Sequence, residues 1–194
     1  MFQSLVNHSL RQKEYFQIGR FAKFFLSSDR ISIKSLNLFA WPGYCLSTKL
    51  STQGIFLNVE SCTKFVNMST ILDQYHSHLS DGYQPCDFFT QYDSSDLAQP
   101  RKTILAMHNS RSYQVDGMTS EFSPDTFRFQ LSDGSQVSMT QYFFTKYNIK
   151  LSPKQPLLFV NYNTKDRVYL PSQLCHEASL PPDFTSNVFK MREI

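Results

Sequence analysis

The chain has 194 residues, 41% of them hydrophobic and 15% aromatic, with a formal net charge of +3. That is enough apolar material for a packed core, in one domain or in a small domain with an attached piece. It excludes a polybasic tail and bulk attraction to nucleic acid, so any anion must be bound by a local cluster.

The order of residues excludes more. No stretch reaches the roughly 18 apolar residues of a membrane span, and the opening MFQSLVNHSLRQKEY lacks the apolar centre of a secretory signal. Cys45, Cys62, Cys86 and Cys175 are far apart with no CxxC pairing. They read as free thiols of a reducing compartment, not as disulfides or zinc ligands, and the sequons at Asn7 and Asn67 then carry no meaning.

Phe2, Leu5, Val6, Leu10, Tyr15 and Ile18 recur at near-helical spacing up to Gly19. They predict one helix over 2–19, with Arg11 and Lys13 on its solvated face. From Arg30 to Val66 the period is that of strands. Ile31 and Ile33 alternate, Leu36, Leu38 and Phe39 follow, and Trp41-Pro42-Gly43 breaks the run. Tyr44 to Leu50 resumes it, and Gln53-Gly54 turns it back into IFLNVE. This predicts an antiparallel meander with one helix packed on it. Thr70 and Asp73 form a capping pair ahead of a helix carrying Ile71, Leu72, Tyr75 and Leu79. His76 and His78 are two apart, so on that helix they diverge and cannot share a metal. Residues 81–100 are polar and read as a loop or a loosely packed helix. Thr103–His108 and Ser112–Asp116 flank Asn109-Ser110-Arg111 as a hairpin.

The stretch from Thr126 to Tyr147 organises the rest. Phe127, Phe129 and Leu131 alternate, Asp133-Gly134 is a tight turn, and Val137 and Met139 form the return strand. Thr140 then caps a short helix carrying Tyr142, Phe143, Lys146 and Tyr147. A hairpin plus one helix is too small to hold its own core, so it must lean on another element and leave a cleft. Beyond it, Ile149 and Leu151, PLLFVNY and Arg167–Leu170 continue the β pattern. Pro171 starts a short helix through Leu174 and Cys175, and Phe184, Val188, Phe189 and Met191 mark a last helix after Pro181-Pro182. The whole predicts a mostly β (α+β) fold. Its centre is a small OB-like β-barrel of the oligonucleotide-binding kind with a hairpin-plus-helix insertion, preceded by a helix and antiparallel linker strands.

No catalytic constellation is visible: no GxSxG, no P-loop, no HExxH and no carboxylates spaced for two metal ions. Cys175-His176 are sequence neighbours, which do not make a nucleophile and base. What remains is a concentration of aromatics interleaved with single basic residues. Arg111 and Tyr113 share one side of a strand, Tyr142, Lys146 and Tyr147 come from the helix, and Phe127 comes from the hairpin. Rings stack on bases, while ammonium and phenol groups take phosphates, so the mix suits the end of a single strand. Phe129, Leu131 and Phe143 read as core. The tyrosines and Lys146 need polar partners. These residues alone leave nucleic-acid binding and a plain packed core equally open.

The string QYFFTKYNIKL, followed by QPLLF, VYLPSQLC and LPP, resembles the PAZ domain of Argonaute-family proteins. IGRFAKFF, LNLFAWPGYCLSTKL and NVESCTKFVNMSTILDQ resemble the first linker of the Piwi branch, and DFTSNVFKMREI is similar to the start of its second linker. The resemblance implies three parts: a helix and first-linker meander over 1–68, PAZ over 69–181, and the start of the second linker over 182–194. It implies a non-enzymatic module that anchors the last two nucleotides of a small guide RNA inside the cell, in cytoplasm or nucleus. The 3′ end is expected with or without a 2′-O-methyl group. Remaining Argonaute domains are the implied protein partners, and no cofactor or metal is implied.

Carried over by motif, Phe127 packs the terminal nucleotide, and Tyr142, Lys146 and Tyr147 hold the phosphate between the last two nucleotides. Arg111 and Tyr113 hold the backbone, His108 supplies a hydrogen bond at the pocket rim, and Leu170 walls the terminal sugar. Phe144 stands where the family usually has lysine or arginine, and the loop from Val160 to Val168 is shorter than in animal Piwi proteins. Competing readings are a Dicer-type PAZ that takes duplex overhangs, a peptide-binding interaction module and an RNase. The lack of paired carboxylates counts against the last.

Overall fold

The computed structural model describes residues 2–13, 15–18, 23–93, 101–131, 133–161 and 167–179. They form two compact units, one built on the residues up to Met68 and the other on 69–108 and 113–177, with 109–112 grouped with the first.

The first unit opens with α1 (Phe2–Gln12). The expected helix stops there, because Tyr15–Gln17 is strand β1, paired antiparallel with β2 (Lys23–Leu26). The aromatic Tyr15-Phe16 pair favours a pleated surface, and pairing overrides the helical spacing. After β3 (Ile31–Ile33) come two long strands, β4 (Leu38–Ser51) and β5 (Gly54–Asn67), paired from Leu38↔Asn67 to Ser51↔Gly54. Trp41-Pro42-Gly43 does not interrupt β4. On the edge away from β5, β3 pairs residues 38–40 and β2 pairs 43–45. Pro42 falls in the gap between these two partners, where a missing N–H removes no ladder bond on that side. The four cysteines are free thiols.

The second unit begins with α2 (Ile71–Ser80), closed by the Thr70–Asp73 capping box, and α3 (Pro85–Thr90). The barrel strands follow: β6 (Thr103–Ala106), β7 (Arg111–Gln114) and β8 (Gly117–Thr119). The hairpin of β9 (Arg128–Gln130) and β10 (Gln136–Ser138) leads into α4 (Met139–Tyr147). Strands β11 (Leu157–Asn161), β12 (Arg167–Pro171) and β13 (Cys175–Glu177) complete it. Cys175 thus lies in a strand, and the turn after Pro171 covers only Ser172–Leu174. Ile149 and Leu151 lie in no strand. The expected last helix lies outside the described residues.

Two three-stranded sheets, β13-β6-β7 and β12-β11-β8, enclose the barrel core. Ile104, Val115 and Leu158 are fully buried in it, with Ile71 of α2 and Phe88 of α3. The sequence expectation of a mostly β, barrel-like fold with a hairpin-plus-helix insertion holds. Buried Asp116 joins the sheet edge by accepting from the Asn161 amide at 2.7 Å and pairing with Arg101 at 3.2 Å. Buried Gln155 ties the chain after α4 to the turn after β12, accepting from Ser172 Oγ at 3.0 Å and the Gln173 amide at 2.8 Å.

Candidate nucleic-acid interface

The hairpin and α4 are held by local chemistry. Asp133 accepts from the Ser135 amide and hydroxyl at 2.9 and 2.6 Å, and Gly134 takes the positive φ of +87° that the reversal needs. Those bonds hold the Asp133 carboxyl below its usual pKa. Ser138, not Thr140, caps α4, its hydroxyl accepting from the Gln141 amide at 3.2 Å. Met139 is therefore the first helical residue rather than the end of the return strand. Thr140 donates to Asp125 at 3.3 Å, and its amide bonds the Pro124 carbonyl, fastening the preceding loop to the helix. Asn148, left-handed at φ 54°, ends α4.

A second core lies against these elements, built from Met139, Phe143, Leu151 and Leu157. Phe127, Phe129, Tyr142, Tyr147 and Tyr169 pack on it half-buried. Phe129 meets Tyr142 edge-on at 5.1 Å, Tyr142 meets Tyr147 at 6.1 Å, and Phe127 lies 4.6 Å from Tyr169. Lys146, exposed at the last turn of α4, donates to the Tyr142 hydroxyl at 2.7 Å. Its ammonium lies 5.1 and 5.4 Å from the Tyr142 and Tyr147 ring centres. The hydrogen bond to Tyr142, then the nearby Tyr147, raises the lysine pKa above its usual value. This presents one fixed positive charge beside two phenols on an aromatic floor, which is the equipment for a phosphate with an adjoining base or sugar.

His108 joins the same cluster, edge-on to Phe143 at 4.8 Å and to Tyr147 at 5.3 Å. Its Nδ1 is buried with no hydrogen-bond partner. Burial first, and the Lys146 charge second, lower its pKa to about 4. The ring is neutral at pH 7.

The structure therefore brings together His108, Phe127, Tyr142, Lys146 and Tyr147. Tyr113 packs instead on the barrel core, and Arg111 is exposed at the start of β7, its amide bonded to Asn109 at 3.0 Å. Leu170, expected to wall a sugar, is 4% exposed and belongs to the barrel core. Parity explains this. In β12 neighbouring side chains point to opposite faces, so Tyr169, not Leu170, looks toward the hairpin. Tyr169 and Phe122 are the residues that sequence reasoning left out. Phe122, 40% exposed, lies 6.0 and 6.1 Å from Tyr169 and Phe127. The parity of the β11–β12 pair signals Tyr169. Phe122 sits in an aperiodic loop and gives no signal.

The PAZ domain family profile matches residues 94–194. Piwi-like protein 1 of Gallus gallus is 26% identical over 192 residues, covering 95% of this chain and 21% of that protein. Siwi of Bombyx mori is 25% identical over 182 residues, covering 88% and 19%. The crystal structure of Drosophila Piwi superposes with a TM-score of 0.58 at 24% identity, covering 98% of this chain and 23% of that one, and supports the fold. The chain thus spans about a fifth of the length of the curated relatives it matches. It belongs to the PAZ domain family, generally RNA-binding, and resembles Piwi-branch Argonaute proteins over nearly its full length.

Proposed function

We propose that this chain binds single-stranded RNA and anchors the last two nucleotides of a small guide RNA in a Piwi-type Argonaute that acts in RNA silencing. The observation that carries the reading is the Lys146 ammonium fixed 2.7 Å from the Tyr142 hydroxyl beside Tyr147. A diester phosphate there takes one charge-assisted bond and two phenol donors. Phe127, with Tyr169 in the place first given to Leu170, packs the terminal nucleotide, and His108 stands at the rim. Arg111 and Tyr113 are assigned to the strand's backbone.

On this reading residues 1–68 are a first linker, 69–181 the PAZ domain and 182–194 the start of a second linker. The chain is then a binding module, and the partner domains are those of an intracellular Argonaute. The test compares a fluorescent RNA duplex carrying a two-nucleotide 3′ overhang with the same duplex made blunt. Preference for the overhang supports end capture, and equal binding removes it. A Dicer-type PAZ also takes overhangs, so a free single strand is the third arm; the Argonaute reading requires that it bind as well as the overhang.

A further inference from the structure

His108 is an ionisable ring in a setting that suppresses its charge. Its edge meets Phe143 and Tyr147, and its Nδ1 has no partner and no access to water. The groups facing it from α4 are the Tyr147 phenol and the Lys146 ammonium, and that ammonium repels a proton on the ring. The lysine repulsion depends on the site being empty, whereas burial persists when RNA docks. A phosphate held by Lys146 and the two phenols offsets the lysine charge and places a negative charge in the same cluster. In a site of reduced dielectric that charge favours the imidazolium.

We propose that His108 is a conditional second cation of this site, taking up a proton when an RNA phosphate docks at Tyr142, Lys146 and Tyr147. The inference rests on the phosphate-binding reading above. The proton comes from the buffer and resides on the imidazole, and no other bond is made or broken. The free ring stays neutral down to about pH 4, so the complex binds one more proton than the free protein across the mildly acid range. RNA affinity then rises as pH falls, by at most about tenfold per pH unit.

The experiment titrates the whole chain with a 3′-hydroxyl oligouridine at pH 7.5, 6.5 and 5.5 and constant salt. Neither uracil nor a diester titrates in that range. The expected result is affinity about tenfold or more tighter at pH 5.5 than at 7.5, with that ratio falling to about one in His108→Gln. Proton NMR of the wild-type His108 ring, with and without RNA, should show its midpoint moved up by RNA, a readout that survives if the variant fails to fold. An unmoved midpoint, or a pH ratio unchanged in His108→Gln, overturns the inference. Binding that is pH-independent overturns this inference alone. No binding at any pH overturns the end-anchoring reading and this one with it.

Discussion

Strands β11 and β12 separate two kinds of interior. On one face Leu158 and Leu170 close a barrel core and are buried to 0% and 4% exposure. On the other, Phe159 and Tyr169 pack half-exposed, and Tyr169 meets Phe127 and Phe122. The aliphatic face gives the most stabilisation per residue because it removes carbon from water and leaves no polar group behind. The aromatic face keeps phenol hydroxyls and an ammonium near solvent, with an imidazole nitrogen buried and unpaired among them. It gives up stability to present donors. The difference separates the part that folds the unit from the part available for binding.

Leu158→Ala should break the folding side most. A fully buried leucine that leaves a cavity costs about 2–5 kcal/mol, and urea unfolding should show the loss. Phe127→Ala should act on the other side: about 1–3 kcal/mol of RNA affinity, with little change in the unfolding midpoint. If Phe127→Ala instead loses roughly 3–5 kcal/mol of folding stability, the ring is core and the contrast fails. Lys146→Ala should weaken all RNA sequences alike and reduce the slope of log K against log salt by about 0.7, the single-strand value for one phosphate. Unchanged slope and affinity would make Lys146 a plain surface charge.

The smallest expected effect is on acid stability. The folded pKa of His108, about 4, lies below its ordinary value of 6.5. The unfolded chain therefore binds the extra proton between those values. This contribution is fully present above about pH 6.5 and is lost as pH falls toward 4. Since the ring is only half-buried, solvent screening makes the loss modest. Thermal melts of wild type and His108→Gln across that window should converge at the acid end. Parallel curves would place the ring outside the cluster.

Features set by neighbours in sequence were legible. The Thr70–Asp73 box, the Asp133-Gly134 reversal and the α4 aromatic spacing depend on bonds within a few residues. What misled depends on distant partners. Pro42 reads as a break until β2 and β3 are seen to leave its edge unpaired. The helix spacing over 2–19 gives way at Tyr15 because β2 offers a pairing edge. In the site, helix spacing found Tyr142, Lys146 and Tyr147, whereas the choice between Tyr169 and Leu170 needs the register Leu158↔Leu170 and Phe159↔Tyr169. His108 was assigned by resemblance, and its burial against α4 appears only in three dimensions.

The lock on that register has its own consequence. Gly117 of β8 faces Phe159, and any side chain at 117 would collide with the Phe159 ring. The strand therefore cannot slide by one residue without driving that ring elsewhere and exchanging its two faces. A saturation library along residues 158–160 should thus give an alternating readout. Variants at Leu158 and Val160 should be depleted by a selection for abundance, and variants at Phe159 by a selection for RNA capture, so each assay would recover every second position.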